Sequence, residues 1–76
     1  MTDVLEYLAH QLVDEPDAVR VEQVAEDDEL VLRLYVAEDD RGKVIGRQGR
    51  IARALRAVVR ASAAKERRRV RLEIVD

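Results

Sequence analysis

Gly42-Lys43-Val44-Ile45-Gly46-Arg47-Gln48-Gly49-Arg50 is the stretch on which the reading of this chain turns. Two glycines three positions apart let the backbone turn sharply and approach a ligand with no Cβ in the way. The second glycine opens a long helical pattern, and the unpaired N–H groups and positive dipole end of a helix start favour an anion. Lys43, Arg47 and Arg50 set long cationic side chains around that point, so phosphate is the group the combination suits. A GxxG tetrapeptide alone is weak evidence, since a glycine that ends one helix before another begins gives the same letters. The spacings of a Walker loop and of a dinucleotide fingerprint are absent.

The flanking segments supply the context. Upstream, Asp39 and Asp40 stand where the N-cap of a short helix, Arg41 to Ile45, is expected. Downstream, a helix is predicted from about Arg50 to Lys65. Ile51, Ala52, Leu55, Val58, Val59 and Ser62 gather on one side of it, and Arg53, Arg56 and Arg60 on the other. Further upstream, Leu30, Leu32, Leu34 and Val36 alternate with Val31, Arg33 and Tyr35, as in a half-buried strand. A second strand-like run, Ala18 to Ala25, joins it through the turn-prone Glu26-Asp27-Asp28-Glu29. Asp3, with Glu6 three residues on, is expected to cap a first helix whose apolar stripe is Val4, Leu5, Leu8, Leu12 and Val13. The Asp14-Glu15-Pro16-Asp17 stretch stops that helix. Val70 to Val75 alternates as a last strand. The order is α-β-β-α-α-β, one domain over residues 1–76 with its strand-loop-helix core at about 29–76. The expected core is Leu8, Leu12, Leu32, Leu34, Leu55, Val59, Leu72 and Ile74.

Composition narrows the function. The net charge of −2 hides two opposed halves: residues 1–40 carry thirteen acids against Arg20 and Arg33, and residues 41–76 carry twelve bases against Glu66, Glu73 and Asp76. That polarity points to a polyanion partner for the second half. With no cysteine and one histidine, His10, a disulfide or zinc scaffold is excluded and no cofactor or metal is expected. The lone serine, Ser62, lies on an apolar helix face and the one histidine in a different element from any obvious nucleophile, so no catalytic residues and no enzyme activity are expected. Tyr7 and Tyr35 are the only aromatics, which argues against base-stacking RRM and OB platforms. Arg53, Arg56 and Arg60, like the run Arg67, Arg68 and Arg69, read first as solvated surface. No run is long enough to insert in a membrane, and Met1 leads into acids rather than an apolar leader, so a cytoplasmic location is expected.

Val44-Ile45-Gly46-Arg47-Gln48-Gly49 resembles the VIGxxG signature of KH domains, and the element order resembles their type II form. Over nearly the whole length, the chain is similar to the small bacterial KH proteins of the KhpA type. The resemblance implies an α+β fold with three helices on one face of a three-stranded mixed sheet. It also implies a groove for about four nucleotides of single-stranded RNA, their backbone clamped by the loop. Lys43, Val44, Ile45, Gly46, Arg47, Gln48, Gly49 and Arg50 are then the RNA-binding residues, Val44 and Ile45 lining the groove floor. Many KH domains carry a bulky aliphatic three residues after the second loop glycine. Here that residue is Ala52, which predicts either a shallower floor or an Ile51 turned in to fill it. The resemblance further implies an RNA chaperone or post-transcriptional regulator, with a role in cell-envelope growth and cell shape. Its implied partner is a larger KH protein of the KhpB (Jag, EloR) type, or a second copy of the chain. The competing reading is a protein-interaction or dimerisation module whose glycines serve only the turn.

Overall fold

The computed structural model describes residues 2–66 and 68–75. The chain runs α1 (Thr2–Leu12), β1 (Arg20–Glu26), β2 (Glu29–Tyr35), α2 (Arg41–Ile45), α3 (Arg50–Ser62) and β3 (Arg69–Ile74). Single 3-10 turns occupy Pro16–Ala18, Glu38–Asp40 and Arg47–Gly49. β1 and β2 form an antiparallel hairpin, and β3 lies parallel to β2 on its other side. The hairpin closes through Asp27 at φ 38°, a conformation that aspartate tolerates better than most residues. Parallel pairing needs a long crossover, and α2, the glycine loop and α3 provide it. The three helices and the mixed sheet match the expected α-β-β-α-α-β fold.

Register explains the core. Leu30, Leu32 and Leu34 of β2 share one face with Val70, Leu72 and Ile74 of β3, in matched rows. Leu5 and Ala9 of α1, Val44 of α2, and Leu55 and Val59 of α3 close over that face. Each large aliphatic so buried contributes roughly 1.5–3 kcal/mol. Of the expected core, Leu32, Leu34, Leu55, Val59 and Leu72 are buried, while Leu8, Leu12 and Ile74 are half-buried and pack against it.

Several boundaries differ from expectation for local reasons. β1 starts at Arg20 rather than Ala18, because the amides of Ala18 and Val19 bond back to Glu15 and Pro16 in a 3-10 turn. α1 already includes Thr2, so Asp3 sits in its first turn rather than before it. Val4 is exposed, and Ala9, one turn beyond Leu5, takes the buried place. α3 ends at Ser62, which is exposed, and Ala63 is buried instead. Val31, expected on the polar side of β2, is 3% exposed: Val24 flanks it across one pairing and Arg71 across the other. Arg67 of the basic run lies outside the described residues. No helix among the described residues is long and apolar enough to cross a membrane.

Candidate nucleic-acid interface

The loop departs from helical geometry at three of its residues. Gly46 takes φ 76° and ψ 171°, a region essentially closed to residues with a side chain. It is also crowded: a Cβ there would stand 2.9 Å from the Ile51 backbone nitrogen. Gln48 (φ 57°, ψ 24°) and Gly49 (φ 74°, ψ 16°) are both left-handed, and Arg50 resumes the right-handed helix. Gly49 has open space where a Cβ would be. The two glycines therefore serve different needs, Gly46 a conformation and a close approach, Gly49 a conformation only.

α3 begins on a backbone turn, the amides of Gly49 and Arg50 donating to the carbonyls of Gly46 and Arg47, and without any side-chain cap. No side chain caps its N-terminus and no acid lies in its first turn, although a first turn ordinarily attracts Asp or Glu. Its charged residues are Arg50, Arg53, Arg56 and Arg60, with no acid anywhere in the helix. Like charges three and four positions apart repel on a helix surface. None of the four makes an ion pair among the described residues. Arg47 and Gln48, exposed on the loop, lie just before this helix start.

From the loop a groove of about 630 Å³ runs between α3 and β3. Ile45, Ala52, Leu72 and Ile74 give it an apolar floor, with Arg56, Arg71 and Glu73 at its sides. Ile51 is turned away, toward Leu8 and Leu12 of α1. The gap left by Ala52 is thus not filled from its neighbour, and β3 supplies the bulk of the floor.

Two expected site residues face elsewhere. Val44 is 0% exposed, a core residue that offers no surface to a ligand and cannot line the groove floor. The Lys43 ammonium lies 2.8 Å from Asp14 and 3.3 Å from Asp40, so its charge is answered inside the fold. Those hydrogen bonds, to Asp14 first and then Asp40, raise its pKa above the ordinary lysine value. Asp40 was expected to cap α2, and its side chain makes no such bond. It is 1% exposed and instead accepts the amides of Asp14 (3.2 Å) and Glu15 (3.1 Å). Burial works against its carboxylate, but those amides and Lys43 outweigh it and hold the pKa below the ordinary value. Asp40 so ties the end of α1 to the start of the short helix that carries the loop.

The opposite face of the sheet is chemically closed. Arg33 lies between Glu22 (3.7 Å) and Glu73 (3.1 Å), and Arg71 reaches Glu29 (3.1 Å), Glu73 (3.6 Å) and Glu26 (3.9 Å). Tyr35 donates to Glu22 at 3.2 Å, and Arg20 stands 4.1 Å over its ring. No aromatic there is free to stack a base.

Sequence reasoning missed Leu72, Ile74 and Arg56 as groove residues and Asp40 as an anchor. One signal was available: Arg56 follows Ala52 by four positions and so shares its helix face. The total lack of acids in α3 was another.

The KhpA/KhpB KH-domain family matches residues 2–74. The chain is 53% identical over its full length to the whole of the RNA-binding protein KhpA of Halalkalibacterium halodurans. It is 51% identical, over 99% of its length, to the whole of the protein of that name from Clostridium acetobutylicum. To the Bacillus subtilis protein of that name it is 41% identical over its full length and 94% of that protein's. No solved structure matches the chain.

Proposed function

The chain belongs to the KhpA/KhpB family of KH domains, and we propose that it is a non-enzymatic module that holds single-stranded RNA across the glycine loop and the α3–β3 groove. The observation that carries this reading is α3 itself, without a side-chain cap, free of acids and carrying arginines that make no ion pair among the described residues, beside an apolar floor. Phosphates of a bound strand answer the charge of Arg50 and Arg56, and the floor takes apolar base surface. The residues assigned to RNA are Ile45, Gly46, Arg47, Gln48, Gly49 and Arg50, with Ala52, Arg56, Leu72 and Ile74 in the groove. The loop and the first turn of α3 meet one phosphate, and Arg47 and Arg50 flank it. Its biological use as a chaperone or post-transcriptional regulator, and any bearing on the cell envelope and cell shape, are proposed from family resemblance alone.

The test is Arg47→Asp combined with Gln48→Asp. Both positions are exposed, and aspartate tolerates the left-handed backbone of position 48. The variant is expected to keep the circular dichroism of the wild type and to lose binding to a short single-stranded RNA in fluorescence anisotropy. Wild-type affinity should fall with salt, by about 0.7 in log–log slope per phosphate contact. A folded double variant that binds as tightly as the wild type would remove the loop from the mechanism.

A second reading has its own support. Between α1 and α3 lies a wholly apolar recess of about 250 Å³, lined by Leu8, Leu12, Ile51, Leu55 and Val58 among others, with Tyr7 63% exposed on the same helix as Leu8. It suits self-association or docking of a larger KH protein, which would raise the modest affinity of a single domain by avidity.

A further inference from the structure

The groove beside the loop does not end at Arg56. Past it the junction of α3 and β3 opens into a second compartment of about 480 Å³, floored by Val59, Val70 and Leu72 and flanked by Arg56, Arg60 and Arg69, with Glu29 and its partner Arg71 completing the wall. Arg56, Arg71 and Leu72 line both compartments, so the two form one continuous cleft. Arg56 and Arg60 are four residues apart, about 6 Å along the helix. At the far end Arg69 meets the acidic hairpin turn Glu26, Asp27, Asp28 and Glu29. Arg71 is held there by Glu29, whereas Arg56, Arg60 and Arg69 make no ion pair among the described residues.

We propose that this second compartment holds at least one further nucleotide of the same RNA strand, beyond the groove next to the loop. The apolar floor receives its base, Arg60 and Arg69 receive its phosphates, and the carboxylates of Glu26, Asp27 and Asp28 at the hairpin turn beyond repel the phosphate after it. The hairpin turn is thus the end-stop of a basic tract that begins at Arg47. This inference rests on the RNA reading above and extends it from the loop to the whole length of α3. The rival occupant of the same arginines is the acidic half of a second copy of the chain.

The experiment compares RNAs of about four and about eight nucleotides on the wild type, on Arg60→Gln with Arg69→Gln, and on Arg60→Lys with Arg69→Lys. Neutralising Arg60 relieves its repulsion with Arg56, so the fold should hold, and circular dichroism checks it. The single variants stand in should the double one unfold. The wild type is expected to bind the longer RNA about tenfold or more tightly. The glutamine variant should bind the shorter RNA as the wild type does and lose the gain from length. Its salt slope on the longer RNA should drop by about 1.4, at about 0.7 for each lost contact. The lysine variant should retain both. Equal losses on the two lengths, or an unchanged affinity for the longer one, would overturn the proposal. Loss of a wild-type dimer in light scattering with RNA binding intact would overturn it too, and give the cleft to a second copy. A wild type that binds neither RNA refutes the loop reading itself, a different result from a wild type that binds both lengths equally.

Discussion

The open face of the sheet and the outer face of α3 are both rich in arginine, and the two treat it in opposite ways. On the sheet, Glu22, Arg33 and Glu73 fall in one row of the strand register, and Arg71 is held by three glutamates within 3.9 Å. On α3, Arg50, Arg53, Arg56 and Arg60 repel one another along a helix without a single acid. The difference separates charge that has been answered inside the molecule from charge left for something outside it. It also resolves the opposed halves of the sequence. Acids of the first half reach cations of the second at Lys43 and at Arg71, and they leave α3 untouched.

The strongest way to break the contrast is through the backbone that presents the unpaired side. Gly46→Ala has to take a glycine-only conformation and push aside Ile51. Backbone strain and overpacking at about 1–3 kcal/mol each predict a loss of about 2–6 kcal/mol. That is a large share of the roughly 4–11 kcal/mol expected for a domain of this length. Gly49→Ala, with open space around it, should cost only about 1–2 kcal/mol. Urea denaturation of the two variants measures the gap, and equal losses would mean that the contact with Ile51 does not constrain the loop.

A smaller effect is expected where the interior charge is paired. The Asp40 carboxyl is held below its ordinary 3.8, so its contribution is fully present above that pH and is lost as pH falls through the lowered folded value. Asp40→Asn removes this component. The difference in thermal midpoint between wild type and variant should be constant near neutral pH and shrink below about pH 4. A difference independent of pH down to 2 would show that the carboxylate charge is not what ties α1 to α2.

The smallest effects carry the sharpest contrast. Arg33→Gln, on the paired face, should lower stability slightly, by an amount that salt erases, and leave RNA affinity unchanged. Arg53→Gln, on the unpaired face, should leave stability unchanged or raise it by about 0.2–0.5 kcal/mol. It should also weaken RNA binding. The same pair of measurements, melting and anisotropy, decides both, and a reversal of either would dissolve the distinction between the two faces.

Much of this was legible in the sequence because it depends on period. Leu32 and Leu34 on one face of β2, and Leu55 and Val59 on one face of α3, follow from spacing alone, and the loop follows from two glycines and the helix after them. What was not legible depends on contacts between segments far apart. Asp40 reads locally as a cap, yet its oxygens go to amides 25 and 26 residues away. Lys43 reads as a loop cation until Asp14 is brought to it. Val44 reads as groove lining because an apolar residue beside a loop looks the same whichever way its helix faces. Ile74 and Leu72 join the groove only because β3 returns parallel beside β2.

That return has a consequence for how the molecule comes into being. Arg33 and Glu73 meet across a separation of 40 residues, whereas the β1–β2 hairpin closes locally within a few positions. Local pairing forms quickly, and a contact across a long crossover waits on the entropy of closing it. Leu72 and Ile74 come with that long-range contact, and without them the groove loses the larger part of its floor. The α3–β3 groove therefore exists only once the long-range pairing of β3 with β2 is in place. Without that pairing the arginines of α3 stand beside no apolar floor from β3, so the groove and the completed sheet form together.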